Sequence, residues 1–440
     1  MNEFFDRVDG YRRQNFTTSE MGPLKNMFLR FKRVIIAFFV FVVLFVFVII
    51  RLISIYNETP VRGETEWYQQ QQFYLKYIRN SQHTYDISFI SDDDKLSRRN
   101  PDKLVFSSTM LSGKLKAVFK RNSGAISHYE LTLYEDNALE VSTTYNEKGR
   151  GAEFSDLCNY RDKLLAFDDR TGIIFWYNRA NNKMIPYVVL IEGNAIDSDK
   201  GQKTEWAFVA PSFYNNGKRK DHDAIYIGSI GKEWTDPKTG EIQNFHNQWV
   251  KIVEINPPKS SEYGNADLTL TDVKNVNDYS ETIRVEHLNV RENLFEVMRK
   301  KTDALNPGYI VHEAACYNSK YNNWWFLPRR HSHETYNEDA DERAGTDLVF
   351  VINSTDPFHA TAAENEAKMD VRHIGVYNNT RGWSSCKFLP YQEDHLLAIR
   401  SMEVNNVVAT YATVIDITTN KILLPETFLG WKKYEGVEFI

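Results

Sequence analysis

Five short segments of this chain place a carboxylate or hydroxyl residue inside otherwise apolar, strand-favouring sequence: Glu153-Phe154-Ser155, Thr204-Glu205-Trp206, His312-Glu313-Ala314, Trp383-Ser384-Ser385 and Tyr434-Glu435-Gly436. A lone charge in a buried strand is costly, because it leaves water without a compensating partner. Either the five exceptions are unrelated, or their oxygens converge on something positive. Calcium suits the second case, since it takes carboxylate, carbonyl and water oxygens in flexible geometry. The uneven intervals between segments then correspond to one supersecondary unit each, with insertions, as in a radial repeat of β-sheets.

The sequence from Tyr85 onward has an all-β character. Short runs rich in β-branched and aromatic residues recur, among them Tyr85–Phe89, Ile173–Tyr177, Val250–Ile255 and Leu348–Ile352. Turn signals such as Asn122-Ser123-Gly124 and Arg170-Thr171-Gly172 separate them. One helical pattern interrupts, from Val290 to Leu305, with Leu294, Val297 and Met298 on one face. Sandwich, barrel and propeller all accommodate these strands. The repeated polar positions favour a five-bladed β-propeller of about 70 residues per blade, its innermost strands facing a central calcium site. The surplus length falls mainly between Asp236 and Leu305. The final strand, Val437–Ile440, is expected to pair with the beginning of the domain, which would leave no long exposed edge.

Ahead of this body lies an unbroken apolar run, Val34 to Ile50, extended past Arg51 to Tyr56. A helix of about 20 apolar residues spans a bilayer. Arg7, Arg12, Arg13, Lys25, Arg30, Lys32 and Arg33 precede it, whereas Glu58, Glu64 and Glu66 follow. The positive-inside bias therefore predicts a cytosolic tail over 1–33, a single-pass signal anchor over 34–55, a stalk over 56–84 and a lumenal or extracellular domain over 85–440. A cleaved signal peptide would need a shorter apolar core and a small-residue cleavage site. The sequons at Asn57, Asn353 and Asn378 fall on the expected lumenal side, and the one at Asn15 does not.

A net charge of -6 argues against a nucleic-acid partner. The three cysteines, Cys158, Cys316 and Cys386, are too few for a disulfide framework. One disulfide with a spare thiol and three free thiols both remain open. No two cysteines share a zinc-ligand spacing.

Three further stretches carry charge suited to chemistry. An apolar strand ends in acids at Ile90-Ser91-Asp92-Asp93-Asp94, where a solvent-facing rim would suit a cation or water activation. Glycines and arginines alternate at Glu147-Lys148-Gly149-Arg150-Gly151 and follow Asp168-Asp169 at Arg170-Thr171-Gly172. Glycine permits close backbone approach, and arginine forks phosphates. Arg329 and Arg330 follow Trp324 and Trp325, an arrangement able to bracket a base and its phosphates.

Taken together, EKGRGAEFSDL (147–157), FDDRTG (167–172), KTEW (203–206), IGKEWT (230–235), GYIVHEAACY (308–317), WWFLPRR (324–330), DER (341–343) and LLPETFLGWKKYEGVEFI (423–440) resemble the calcium-activated nucleotidase, or apyrase, family. The resemblance covers nearly all of residues 85–440. It implies a five-bladed propeller with Ca2+ in the channel, hydrolysing nucleoside di- and triphosphates with UDP and GDP favoured. It implies calcium-organising positions at Ser155, Glu205, Glu313, Ser384 and Glu435, and a catalytic Asp-x-Asp at Asp92 and Asp94. Asp93 and Lys95 depart from that motif, and the insertion around Lys259–Ile283 exceeds the usual length, leaving contacts in a possible homodimer open. Arg150, Arg170, Arg329 and Arg330 are the expected phosphate-binding residues. Membrane-anchored relatives belong to the endoplasmic reticulum and Golgi, which implies clearance of UDP during lumenal glycosylation. Two alternatives use the same fold: a calcium-dependent propeller esterase or lactonase with a histidine base, and a non-catalytic binding propeller.

Overall fold

Runs of β-branched and aromatic residues, cut by turn residues, resolve into successive antiparallel meanders. A computed structural model describes residues 83–440 except 122–123, 194–197, 199, 215–216, 256–272 and 275–281. The apolar run Val34–Ile50, the tail before it, nearly all of the stalk, Asn15, Asn57 and most of the Lys259–Ile283 insertion lie outside the described residues. Among the described residues, no helix is long and apolar enough to cross a membrane.

The described chain is all-β, as expected. It opens with β1 (Thr84–Ser91), β2 (Phe106–Phe119), β3 (Ile126–Leu133) and β4 (Leu139–Thr143). A meander follows through β5 (Phe154–Tyr160), β6 (Lys163–Asp168), β7 (Ile173–Asn178) and β8 (Lys183–Val189). One parallel bridge, Ser142 to Lys183, joins these two groups in a sheet that the last strand of the domain brings to nine strands. The next sheet holds β9 (Trp206–Phe213) and β10 (Arg219–Gly228). A small hairpin of β11 (Trp234–Thr235) and β12 (Ile242–Asn244) then leads to β13 (Trp249–Ile255), β14 (Val273–Lys274) and β15 (Thr282–Asn289) of that same sheet. Two four-stranded meanders complete the series. They are β16 (Tyr309–Asn318), β17 (Asn323–Ser332), β18 (Leu348–Ile352) and β19 (Met369–His373), then β20 (Arg381–Leu389), β21 (Gln392–Val404), β22 (Val407–Asp416) and β23 (Lys421–Gly430).

The last strand, β24 (Tyr434–Phe439), leaves its predecessors and pairs antiparallel with β1, Ile87 opposite Phe439 and Phe89 opposite Val437. The end of the domain thus closes on its beginning, as the sequence suggested. β5 packs against β9, β9 against β16, β16 against β20, β20 against β24, and β24 against β5 again. Apolar layers fill the spaces between successive sheets. Phe167, Ile225 and Val253 lie together in one layer, Trp206, Tyr226, Trp324 and Phe350 in the next, and Trp325, Val349, Leu396 and Ile415 in a third. A disulfide joins Cys316 on β16 to Cys386 on β20, and Cys158 is a buried free thiol.

The expected helix over 290–305 is shorter in the structure: a π-turn at Arg291–Phe295 and a helix at Glu296–Lys301. Leu294, Val297 and Met298 are buried on one face, as the periodicity requires. Asp303 then takes a left-handed backbone (φ 54°), and the Ala304 N–H returns to Arg299 O at 2.9 Å. That left-handed turn ends the helix before the apolar pattern runs out.

Candidate active site and metal centre

Four of the five repeated polar positions occupy the same backbone irregularity. Ser155 is the extra residue where Phe154 faces Asp168 and Asp156 faces Phe167. Glu313 falls between paired His312 and Ala314, Ser384 between Trp383 and Ser385, and Glu435 between Tyr434 and Gly436. A β-bulge re-aims one side chain out of the pleat without ending the strand. The fifth, Glu205, directly precedes β9, with its N–H donating to Gly228 O at 2.9 Å. The residues lie on, or at the entrance to, the five strands that pack on one another.

Their side chains find different partners. Arg329 Nη1 donates to Glu313 and, at 2.7 Å, to Glu435 Oε1, while its Nη2 donates to Glu403. The Ser155 hydroxyl donates to Phe167 O at 3.2 Å and lies 3.5 Å from Thr204 Oγ1. Ser384 shares a hydrogen bond with Ser401. The Glu205 carboxylate has no hydrogen-bond partner among the described residues. Burial, and then the charge of Glu313, push it up to about 8.

The acidic end of β1 meets this group from the side. Asp92, Asp94 and Glu153 each present an oxygen within 4.8 Å of the others, a spacing suited to one metal ion. Asp92 Oδ1 accepts the Asp94 N–H at 2.8 Å, and the left-handed φ of 47° at Asp94 sets the two carboxylates side by side. Lys433 Nζ lies 2.7 Å from Asp92, 3.1 Å from Glu435 and 3.6 Å from Asp94. Arg150 donates from Nε to Glu153 at 2.7 Å and from Nη2 to Asp94 at 3.0 Å. Burial raises Glu153 to about 7, although Arg150 draws it down. Asp93 turns away, to Arg99 at 3.0 Å and Lys432 at 3.4 Å.

A tight turn supplies the next wall. The buried Asp168 carboxylate accepts the Arg170 N–H at 2.9 Å and the Thr171 N–H at 3.2 Å. Gly172 completes the turn at φ 69°, where an added Cβ would sit 2.4 Å from Gln202 N. The turn presents Asp169 and Arg170. Burial, with Asp92 and Glu205 adding to it, holds the Asp169 carboxyl well above the usual range. Arg170 Nη2 donates to Glu147 Oε2 at 3.0 Å, yet its Nε is buried without a partner, as are Asp169 Oδ1 and Arg330 Nη1.

Trp324 and Trp325 correct one expectation. Both are core residues, 0% and 1% exposed, so neither brackets a base beside the arginines. Trp324 packs on Tyr226, Tyr317 and Phe358. Their place nearer the start of β17 explains this: the same buried strand carries tryptophans in the core and, further along, arginines at the site. His312 is equally enclosed, with its ring against Phe295 and Phe326, and burial lowers it to about 3. No carboxylate among the described residues orients it as a base.

Sequence reasoning did not select Glu153, Asp169, Glu403 or Lys433 as site residues. Three of these stand within two residues of a selected one, and Glu403 alone has no such neighbour. Burial would raise Glu403, but Lys433 and then Arg329 outweigh it and hold it at about 2. With these additions the described site holds eight carboxylates that feel one another: Asp92, Asp94, Glu153, Asp169, Glu205, Glu313, Glu403 and Glu435. Five cations act on them, Arg150, Lys203, Arg329, Arg330 and Lys433, and Arg170 beside Asp169 is paired with Glu147. The surplus of negative charge, the raised carboxyls and the orphaned Asp169 oxygen together fit a hard divalent cation.

Comparison with known proteins bears on this site. The family model described as Apyrase matches residues 93–267 and 260–440. A soluble calcium-activated nucleotidase 1 of Rattus norvegicus is 32% identical over 406 residues, covering 88% of this chain and 86% of its own. An apyrase of Cimex lectularius is 32% identical over 391 residues, covering 88% and 92%. A Caenorhabditis elegans apyrase is 32% identical over 360 residues, covering 81% and 84%. A chain of a nidogen/laminin complex aligns over 80% of this chain and 97% of its own at 7% identity and a TM-score of 0.31, a likeness too slight to bear on either fold or function.

Proposed function

This chain belongs to the apyrase family, and from that premise we propose that it is a calcium-dependent enzyme hydrolysing nucleoside di- and triphosphates to the monophosphate and phosphate. The observation that carries the reading is the excess of carboxylates over cations at one place. A protein has little reason to gather such charge unless an ion completes it. Glu205, Glu313 and Glu435 would hold calcium, together with the Ser155 and Ser384 positions. When bound, calcium offsets the negative charge of the phosphate oxygens.

The chain's own groups supply the rest. Arg170 and Arg330, each with a buried guanidinium nitrogen lacking a partner, would bind phosphate oxygens. Arg150 and Arg329 would hold the carboxylates in place. Asp92 is tied to Lys433 and to the Asp94 backbone, so it orients. Asp94 is half-exposed, and its carboxyl is raised by burial against the opposing pull of Lys433. It would therefore accept the proton from the water that attacks the terminal phosphorus in line.

The architecture we propose is a five-bladed propeller. It is supported by the circuit from β5 through β9, β16, β20 and β24, the shared bulge on four of these strands, and the pairing of β24 with β1. The apolar run over 34–55 and its flanking charges support a type II single-pass protein whose domain from residue 85 faces the lumen of the endoplasmic reticulum or Golgi. Exposed Asn353, and Asn378 on a turn, would then be open to glycosylation. There, cleavage of UDP and GDP released by glycosyltransferases would support glycosylation and protein folding. The test is phosphate release from UDP in calcium, magnesium or chelator, beside hydrolysis of an aryl ester. Calcium-dependent phosphate release without ester hydrolysis is expected; ester hydrolysis alone, or neither activity, overturns the reading.

A further inference from the structure

Beneath the site lies a second polar station that takes no part in the chemistry above. Asp156 is fully buried on β5. Its Oδ1 accepts the Leu157 N–H at 2.8 Å and the Ser385 hydroxyl at 2.8 Å. Its Oδ2 accepts the Ala207 N–H at 3.0 Å. Lys387 Nζ reaches the two oxygens at 3.3 and 3.4 Å and donates to Ala207 O at 3.0 Å. The charge is thereby compensated inside the protein, as a buried ion requires.

The partners matter for where they sit. Asp156 follows Ser155 directly. Ala207 lies two residues beyond Glu205, and Ser385 directly follows Ser384. Gly436, next to Glu435, packs so closely that an added Cβ would lie 2.8 Å from Asp156 C and from Leu157 N. One carboxylate therefore ties together the strands beside three of the five repeated polar positions, on β5, β9 and β20, while the backbone of Asp156 and Leu157 packs against Gly436 on β24. Groups behind the ligands of a metal commonly set the ligands' orientation.

We propose that Asp156 is a positioning residue for the divalent cation, clamping the strands so that Glu205 and the two serine positions face one point. This rests on the assignment of those residues to the metal, and it predicts where the metal's affinity is set. A fold-only role would lower stability and leave the affinity of folded molecules unchanged. The clamp instead couples the two, because the strands that Asp156 joins are the strands that carry the ligands.

The experiment is calorimetric titration of calcium into the full chain, alongside the calcium-induced rise in melting temperature. Asp156→Asn keeps the side chain's size but sets an amide N–H against one of its donors. It should weaken calcium binding about 10- to 100-fold, the usual effect of losing an outer partner. Ser385→Ala removes a single hydroxyl and should weaken it a few-fold. A folded Asp156→Asn chain binding calcium within twofold of the wild type overturns the proposal. Should that variant not fold, Ser385→Ala decides: unchanged affinity there overturns it equally. Failure of the underlying metal assignment reads differently, as absent calcium binding in the wild type or unchanged binding in Glu205→Gln.

Discussion

Lys433 donates to Asp92 Oδ2 at 2.7 Å, across the junction where the last strand of the domain pairs with the first. The closure of the fold and the acidic strand end are thus one structure. Asp92 is pinned there, whereas Asp94 meets the same ammonium only at 3.6 Å and stays half-exposed. Asp94→Asn should lower kcat about 100-fold or more, the usual effect of losing a general base, with calcium binding near normal. Asp92→Asn should also lose turnover. Phosphate release and calcium calorimetry on each variant check this; full activity in both removes the pair from the reaction.

Glu205 and Glu313 differ in one respect that can be measured. Glu313 already has Arg329, while Glu205 has no hydrogen-bonded partner. Glu205→Gln should therefore raise the calcium needed for half-maximal activity by more than the roughly tenfold typical of losing an outer partner. Glu313→Gln should have the smaller effect. The same order is expected in calcium-induced melting shifts, and equal or absent effects would contradict the assignment.

Stability should depend on pH in a direction opposite to ordinary acid unfolding. Glu153 and Glu205 titrate at about 7 and about 8 in the folded chain. An unfolded glutamate titrates near 4.3. Between these values the folded state binds more protons than the unfolded one, so the metal-free chain should lose stability as pH rises from about 4.5 to 8. Calcium should flatten that fall. Its own affinity should weaken on acidification, because protonated Glu205 no longer attracts it. Thermal melts from pH 5 to 8.5 in chelator and in calcium test both statements.

Arg329 serves three carboxylates on three strands: Glu313 on β16, Glu403 on β21 and Glu435 on β24. Removing one partner of a buried ionic group typically costs about 3–5 kcal/mol. Arg329→Met should cost that much in chelator and less in calcium, read by urea unfolding. Arg329→Lys should not restore it, since one ammonium lacks the planar fork that reaches all three acids.

The disulfide between Cys316 and Cys386 ties β16 to β20 across a sequence separation of 70. A crosslink closing so long a loop commonly contributes about 2–5 kcal/mol. Replacing both cysteines by serine should lower the melting temperature, and a reductant should then have no further effect.

Much of this site was legible before any tertiary contact was known. A glutamate set among apolar residues is conspicuous because burial penalises it, and the repetition at Glu205, Glu313 and Glu435 was enough to select those strands. The acids at Asp92 and Asp94 stood out differently, as a cluster of carboxylates closing an apolar strand. Glu403 did not, although Met402 and Val404 flank it on β21, because nothing near it in sequence shows that it meets Arg329. Trp324 and Trp325 misled because proximity in sequence to Arg329 says nothing of which layer a strand residue enters.

Strand character, turn positions and the unusual polar residues follow from local propensity and the cost of burying charge, and both act on neighbours along the chain. Which oxygens meet was decided elsewhere. The bulge at Glu435 where β24 meets β1, the bridging by Arg329 and Lys433, and the clamp at Asp156 join residues up to several hundred positions apart. Pairing at that range depends on how sheets pack and where the chain closes, and no window of sequence records it.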